Sequence, residues 1–363
     1  MLTRRSFSLS LPLTLSLPLT AAAPAILAAQ EPPAPGAGSD PGPEPAAPQA
    51  EPSPPAPSQT LADTLARGER LPPLKAVIVS RQGERLAERG YHGHAPSDST
   101  NIKSASKSII SAMVGMAIER GLLEGVDQPV ADLLAADLPD APDPRLKRVT
   151  IGHLLSMQSG LEPSYARLVA SRNWVRFTLS DDFVTDPGGR MVYATASTHL
   201  LSAILTRTGR KPTLKLAQEW FAPLDGFRIG SWSRDPQGIH IGGNQMAMTS
   251  RSLHAFGELY RRNGKTAEGV QLVPEAWIAE SWKQRTSSKY SGDGYGYGWF
   301  LKTIGGEEVR FAWGYGGQML YIVPSLGLTV TMTSESDSPS AANGYRDRLH
   351  ALLSDIIGAV RQA

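Results

Sequence analysis

Apolar and polar positions along this chain alternate with two periods. Lys75-Ala-Val-Ile-Val-Ser-Arg81 is a short apolar run, and Gln82-Gly83-Glu84 is a turn. Arg85 to Tyr91 then returns as a second strand. The run Ile109, Ile110, Met113, Val114, Met116, Ala117, Ile118 has helical spacing and predicts a helix that starts at Ser104 and ends near Gly121. From about Val126 to Ala222 the signals are mostly helical, with helices over Thr150–Met157 and Ala196–Leu205 and loops at Pro142-Asp143-Pro144 and Asp186–Gly189. Residues 249–262 and 274–283 also read as helices. Strands return at Tyr295–Lys302, Glu307–Trp313, Gln318–Val323 and Leu326–Thr333, and Tyr345–Arg361 closes the chain as an amphipathic helix. The predicted fold class is α+β: strands from both ends of the chain join one antiparallel sheet flanked by helices, with a helical subdomain at roughly 125–225.

The ends change the picture. Thr3-Arg4-Arg5-Ser6-Phe7 is a twin-arginine signature, followed by a mild apolar region from Leu9 to Leu19 and small residues up to Ala29. Residues 1–29 are expected to be a signal peptide, which implies a periplasmic or secreted bacterial protein. Pro12 and Pro18 break the apolar part, so it makes a poor membrane span, and no later segment is long and apolar enough for one. Residues 30–59 hold eleven prolines and no aromatic residue. Such a segment cannot bury enough apolar surface to order itself and reads as a semi-rigid linker. The remaining residues, 60–363, suffice for one large core or two subdomains.

Composition then excludes function classes. The chain has no cysteine, which removes a thiol nucleophile, a disulfide framework, a lipoprotein anchor and a Cys-based metal site. Its formal charge is +2; without Arg4 and Arg5, and without Glu31, Asp40, Glu44 and Glu51, it becomes +4. That bias is weak and forms no basic cluster, so nucleic acid is not an expected partner. His92-Gly-His94 lacks a carboxylate partner for a metal, and the seven histidines are not joined by a Gly-x-Ser-x-Gly elbow. His153 and His199 fall in predicted helices, where a structural role is the commoner one. The Gly292–Gly298 run lacks the helix and lysine of a phosphate loop and reads as a glycine-broken strand edge.

Three elements carry chemistry. Ser104-Ala-Ser-Lys107 puts a hydroxyl and an amine one helical turn apart, where the lysine can take the serine's proton and make it a nucleophile. A Ser-x-x-Lys is expected about once by chance in such a chain, so its context must decide. Tyr193-Ala-Thr195 follows a Pro-Gly-Gly loop and precedes a helix. A tyrosine beside a lysine is easier to ionise and can serve as a general base or protonate a leaving group; a loop tyrosine held for structure is the plainer reading. Trp313-Gly-Tyr-Gly-Gly-Gln318 opens an apolar strand, and a backbone N–H there, with that of Ser104, can bind an oxyanion. A glycine-rich bulge is the plainer reading of this stretch.

These elements, in this order, resemble the serine β-lactamase and penicillin-binding-protein-like hydrolases, particularly the class C-like branch. That branch includes esterases, D-aminopeptidases and 6-aminohexanoate-oligomer hydrolases. The resemblance spans roughly residues 70–335, and Val149–Leu161, Trp232–Gly238 and Met248–Leu253 look like stretches typical of the branch. It implies a β-lactamase/transpeptidase-like fold, an α/β sandwich plus an all-helical domain with the active site between them. It implies Ser104 as the acylated nucleophile and Lys107 as its activator. Tyr193 stands at the family's Tyr-x-Asn tyrosine, with Thr195 in place of the asparagine. Ala312-Trp313-Gly314 stands at the family's Lys-Thr-Gly or His-x-Gly motif, so its cation is missing. Ser104 and Tyr315 N–H groups would form the oxyanion hole, with Gly314, Gly316, Thr195 and Trp174 as candidate substrate contacts.

A lysine or histidine before Gly314 would help hold a substrate carboxylate. Without it, an esterase or amidase taking a small-molecule ester or amide is expected rather than a β-lactamase or D,D-peptidase. No metal or organic cofactor is expected, and no feature of the sequence specifies self-association. A non-catalytic envelope-binding protein of the same fold would need none of Ser104, Lys107 and Tyr193, and their presence argues against it.

Overall fold

The computed structural model describes residues 59–362, so the expected signal peptide and nearly all of the expected linker lie outside the described residues. The first described element is a helix that the apolar pattern does not predict, Gln59–Ala66. It docks Leu61 and Leu65 onto the long C-terminal helix Tyr345–Gln362.

The main sheet has eight antiparallel strands in the spatial order Glu84–Gly90, Leu74–Arg81, Leu328–Ser334, Gln318–Val323, Glu307–Gly314, Phe300–Ile304, Gly294–Tyr295 and Thr286–Ser287. Leu74–Arg81 pairs with Leu328–Ser334, with Val79 opposite Val330, so strands from the two ends of the chain do close one sheet. Leu74–Arg81 lies inside the sheet and is buried along nearly its whole length, which explains its near-continuous apolar run. The N- and C-terminal helices cover one face. The helices Ser106–Glu119, Ser250–Arg261 and Glu275–Ser281 cover the other and share a core with the helical stretch between Val130 and Trp220.

Three sequence expectations need correction. Tyr295–Lys302 is not one strand: Gly294–Tyr295 and Phe300–Ile304 pair with each other across a turn at 296–299. The Ser108 and Ser111 hydroxyls donate to the carbonyls of Gly298 and Tyr297, at 2.6 and 2.7 Å, and draw that turn against the Ser106–Glu119 helix. The α-helix itself begins at Ser106; Ser104 sits in a 3-10 turn over Lys103–Ala105. A second, three-stranded sheet is also present, ordered Ser99–Asn101, Met246–Thr249, Ser231–Trp232. Its strands are too short to leave a periodic signal.

The Ser106–Glu119 helix is buried on every side from Ser106 to Ala117, which marks a core helix rather than an amphipathic one. The end of the strand Glu307–Gly314 abuts the turn before it. A Cβ built on Gly314 would lie 2.1 Å from the Ile102 carbonyl oxygen, so only glycine lets strand and turn approach this closely. Gly314→Ala should therefore destabilise the protein by about 2–4 kcal/mol in denaturant unfolding. Gly358, in the C-terminal helix, is the control, because a methyl added there would meet nothing within 4 Å. Gly358→Ala should stabilise by up to about 1 kcal/mol.

Two core histidines make stability depend on pH. His254 Nε2 lies 2.8 Å from Ser80 Oγ and its Nδ1 3.0 Å from Thr331 Oγ1. Burial, the main cause, lowers its pKa to about 4. His350, 3.1 Å from Tyr321 Oη, is likewise lowered to about 4, mainly by burial. An imidazole of the unfolded chain titrates near 6.5, so it takes up protons that the folded one refuses. Stability is therefore complete above about pH 6.5 and is lost as pH falls towards 4. At pH 5 each histidine should remove on the order of 1–2 kcal/mol. Urea unfolding at pH 7.5 and 5.0 checks this, and His254→Gln should flatten the dependence. Equal free energies at the two pH values would mean that both rings charge freely in the folded protein.

Candidate active site

The site is assembled on the turn before the core helix. Asn101, at the end of its short strand, accepts the Lys103 N–H on Oδ1 at 2.9 Å, and Ser106 Oγ donates to the Lys103 carbonyl at 2.7 Å. Lys103 is thereby held at φ +50°, a left-handed conformation that costs a non-glycine residue energy. This clamp turns Ser104 out at the rim while the helix axis runs inward. Ser104 is half-buried and Lys107 is 2 % exposed.

Lys107 Nζ meets three oxygens: it donates to Ser104 Oγ at 2.8 Å, to the Gly243 carbonyl at 2.8 Å and to Thr195 Oγ1 at 3.4 Å. An ammonium has three N–H donors and no acceptor, so this environment satisfies it in full. The Ser104–Lys107 contact is the one the sequence spacing anticipates.

Tyr193 stands on the other side of the amine. Its ring centroid lies 5.1 Å from Lys107 Nζ, a cation–π distance. The ring packs on Tyr295 and Phe300, each 6.1 Å away, and the residue keeps 37 % of its surface exposed. Burial raises the Tyr295 pKa well above that of an ordinary phenol, so this neighbour stays protonated. The loop carrying Tyr193 is pinned by the Val149–Leu161 stretch. Val192 N–H donates to the Met157 carbonyl at 2.7 Å, and the Gln158 side chain donates to the carbonyls of Gly188 and Gly189.

Thr195 is 7 % exposed and faces Lys107, so its hydroxyl contributes to holding the amine. The Gly314–Gln318 segment forms a tight turn closed by a hydrogen bond from Gly317 N to the Gly314 carbonyl at 3.1 Å. Gly314 lies against Ile102, two residues before Ser104, and this contact brings the turn beside the serine. Gln318, fully buried, donates to the Ser334 carbonyl at 2.8 Å and to the Tyr315 carbonyl at 3.5 Å, which ties the Tyr315–Gly316 peptide to the neighbouring strand. Gly316 packs against the Glu335 backbone. Ala312 is 2 % exposed in the core cluster, so no cation is offered from this strand position.

Trp174 differs from its expectation. It is 2 % exposed and turns its ring towards His199 and Tyr165, at centroid distances of 5.3 and 6.4 Å, so it backs the site rather than lining a cleft. Phe300 and Trp313, 5.6 Å apart, continue the aromatic row that starts at Tyr193. No local pattern joins these two to that row, because only the pairing of their strands brings them there. The loop Gly242–Gln245 also escapes a motif-based reading, although its glycine pair is a visible signal of close backbone approach. His92 Nε2 contacts the Leu71 carbonyl, whereas His94, contrary to the sequence expectation, has carboxylate neighbours in Asp98 and Glu335. Among the described residues no cluster of three or more His, Asp or Glu is placed to hold a metal ion. A cavity of about 330 Å³ beneath Arg85, Arg251 and Arg262 lies elsewhere, and none of Ser104, Lys107 and Tyr193 lines it.

Residues 73–355 match the Beta-lactamase family. A 6-aminohexanoate-dimer hydrolase of Paenarthrobacter ureafaciens is 28 % identical over 260 residues, 63 % of this chain; the match spans 64 % of that relative's length. Among solved structures, EstCE1, a hydrolase with promiscuous acyltransferase activity, superposes with a TM-score of 0.66 at 18 % identity, covering 83 % of this chain and 98 % of that one. A class C beta lactamase from Rhodobacter sphaeroides gives 0.62 at 16 % identity, with 84 % and 99 % covered. The span matched by the family contains Ser104, Lys107, Tyr193 and the Gly314 turn. The chain belongs to the beta-lactamase family, a family of serine hydrolases.

Proposed function

We propose that this protein is an exported serine hydrolase that cleaves a neutral or weakly anionic ester or amide through an acyl-enzyme. The observation that carries the reading is the 2.8 Å contact between Lys107 Nζ and Ser104 Oγ, with the amine buried and the hydroxyl at the rim. With Nζ neutral, donor and acceptor exchange roles, and the Ser104 O–H donates to the amine lone pair.

In the proposed mechanism Ser104 Oγ adds to the substrate carbonyl carbon as its proton passes to Lys107 Nζ. The oxyanion accepts hydrogen bonds from the N–H groups of Ser104 and Tyr315. The intermediate collapses with cleavage of the C–O or C–N bond. Tyr193 Oη protonates the departing group and regains a proton from Lys107. Water then attacks the acyl ester, giving up its proton to the same pair, which passes it on to Ser104 Oγ as the ester C–O bond breaks and the acid leaves.

The apolar Ala312 at the family's cation position favours this substrate class over β-lactams or peptide carboxy termini. A relative named for hydrolysing a dimer of an amino acid supports amide cleavage as one form of the activity. The twin-arginine pair Arg4-Arg5 supports export. Replacing both by lysine should keep a chain with its native leader out of the periplasmic fraction; unchanged export would remove this part of the reading.

A fluorophosphonate probe should add one mass increment to the protein, located on Ser104, and Ser104→Ala should abolish it. Failure of the native protein to label, where a related hydrolase does, would overturn the assignment of the nucleophile. Lys107→Ala should slow acylation by roughly 10³-fold or more. Tyr193→Phe should lower kcat for amides by about 10²-fold but much less for p-nitrophenyl esters, whose leaving group needs no proton. A chromogenic cephalosporin should not be turned over; rapid turnover would favour a β-lactamase.

A further inference from the structure

We infer that the buried pair His199–Asp235 is a positioning device for Lys107, acting through the backbone of Gly242 and Gly243. The inference rests on the proposed role of Lys107 and extends it to residues with no contact to the reacting atoms. Both side chains of the pair are completely buried, and His199 Nε2 lies 3.0 Å from Asp235 Oδ2. Asp235 is itself fixed, because its Oδ1 accepts the N–H groups of Gln237 and Ile239, each at 2.9 Å. A carboxylate accepts only, so the pair places the imidazole proton on Nε2. Nδ1 is then a bare acceptor, and the Gly242 N–H donates to it at 3.4 Å.

The next residue is the one that matters. Gly243 turns at φ +77° and presents its carbonyl to Lys107 Nζ at 2.8 Å. A methyl on Gly243 would lie 2.7 Å from Lys107 Cγ and 2.9 Å from Thr198 Cβ, and one on Gly242 would lie 2.2 Å from the Thr198 carbonyl. The two glycines are thus pressed between the lysine and the helix Thr195–Gly209, which carries both Thr195 and His199. The Trp174 ring, edge-on to His199, closes the remaining side of the imidazole. One helix therefore supplies Lys107 with a direct partner, Thr195, and with the anchor for a second, Gly243.

The alternative is that His199–Asp235 only fills and stabilises the core. Rate and affinity separate the two. His199→Gln keeps a donor for Asp235 but offers no acceptor at the Nδ1 position; His199→Asn offers an acceptor there but cannot reach Asp235. If the pair positions Lys107, the folded Gln variant should acylate Ser104 with a fluorophosphonate or p-nitrophenyl ester about 10- to 100-fold more slowly than the native protein, with KM changed less than about 2-fold. The Asn variant, which keeps an acceptor for the Gly242 N–H but loses the Asp235 contact that fixes it, should act at a rate between those of the Gln variant and the native protein. Native acylation rates in both folded variants would overturn the inference while leaving Ser104 as the nucleophile.

If neither variant folds, Asp235→Asn decides, because an amide that donates to Nε2 moves the imidazole proton to Nδ1 and takes the acceptor from the Gly242 N–H. Acylation slowed about 10-fold or more with KM nearly unchanged supports the inference, and a native rate overturns it. Should the native protein itself fail to acylate, the nucleophile assignment falls, and the ¹⁵N spectrum of the native imidazole still tests the His199–Gly242 contact.

Discussion

The site depends on satisfying one buried amine. A lysine whose side chain is almost fully withdrawn from water must find acceptors for its N–H groups or remain costly. Lys107 finds them in Ser104 on its own turn and in two places distant in sequence, Thr195 at the start of another helix and the Gly243 carbonyl in a loop. Each acceptor brings its element to the lysine. The helical region, the second sheet's loop and the nucleophile turn therefore meet at one nitrogen. In the proposed mechanism the same contact activates the nucleophile, so the feature that needs structural support is also the one proposed to react.

The contact also explains local choices that look unfavourable in isolation. Lys103 adopts a left-handed backbone because the chain must leave a strand and enter the core helix within one 3-10 turn. Asn101 and Ser106 hold it there through hydrogen bonds to its N–H and carbonyl. Ser108 and Ser111, poor helix formers in an apolar helix, tie the Gly296–Trp299 turn to the helix wall. Strain and polarity are concentrated around Ser104 and compensated by specific partners, the pattern expected where local rules yield to a functional site.

Most of this is legible in the sequence where the signal is local. Ser104 and Lys107 share a face because helical periodicity acts over one turn, and the apolar run behind them predicts the burial that the structure has. The sheet strands and the closing helix follow from alternation and from glycine turns. Tyr193 and the Gly314 turn stand out as short motifs, although their approach to Ser104 is a tertiary fact. The three-stranded sheet is not legible, because two- and four-residue strands such as Ser231–Trp232 and Met246–Thr249 carry no period. The break at 296–299 is hidden in a run that alternates well, since it is set by serines almost two hundred residues earlier. Helix Gln59–Ala66 leaves little trace because its few apolar residues gain stability only against the C-terminal helix.

His199 shows how far a residue-by-residue reading can reach. A histidine inside an apolar helix is most often a satisfied core residue, and by hydrogen bonding His199 is satisfied: Asp235 takes one nitrogen and the Gly242 N–H the other. Satisfaction, however, does not show that a group is functionally inert. A buried polar network has few arrangements that leave no atom unpaired, so it fixes the backbone it touches more sharply than apolar packing would. Here that backbone runs through Gly243, whose carbonyl has one side chain to meet. The structural role and the functional role of the pair are then the same physical fact, a hydrogen bond that holds a carbonyl still, read at its two ends.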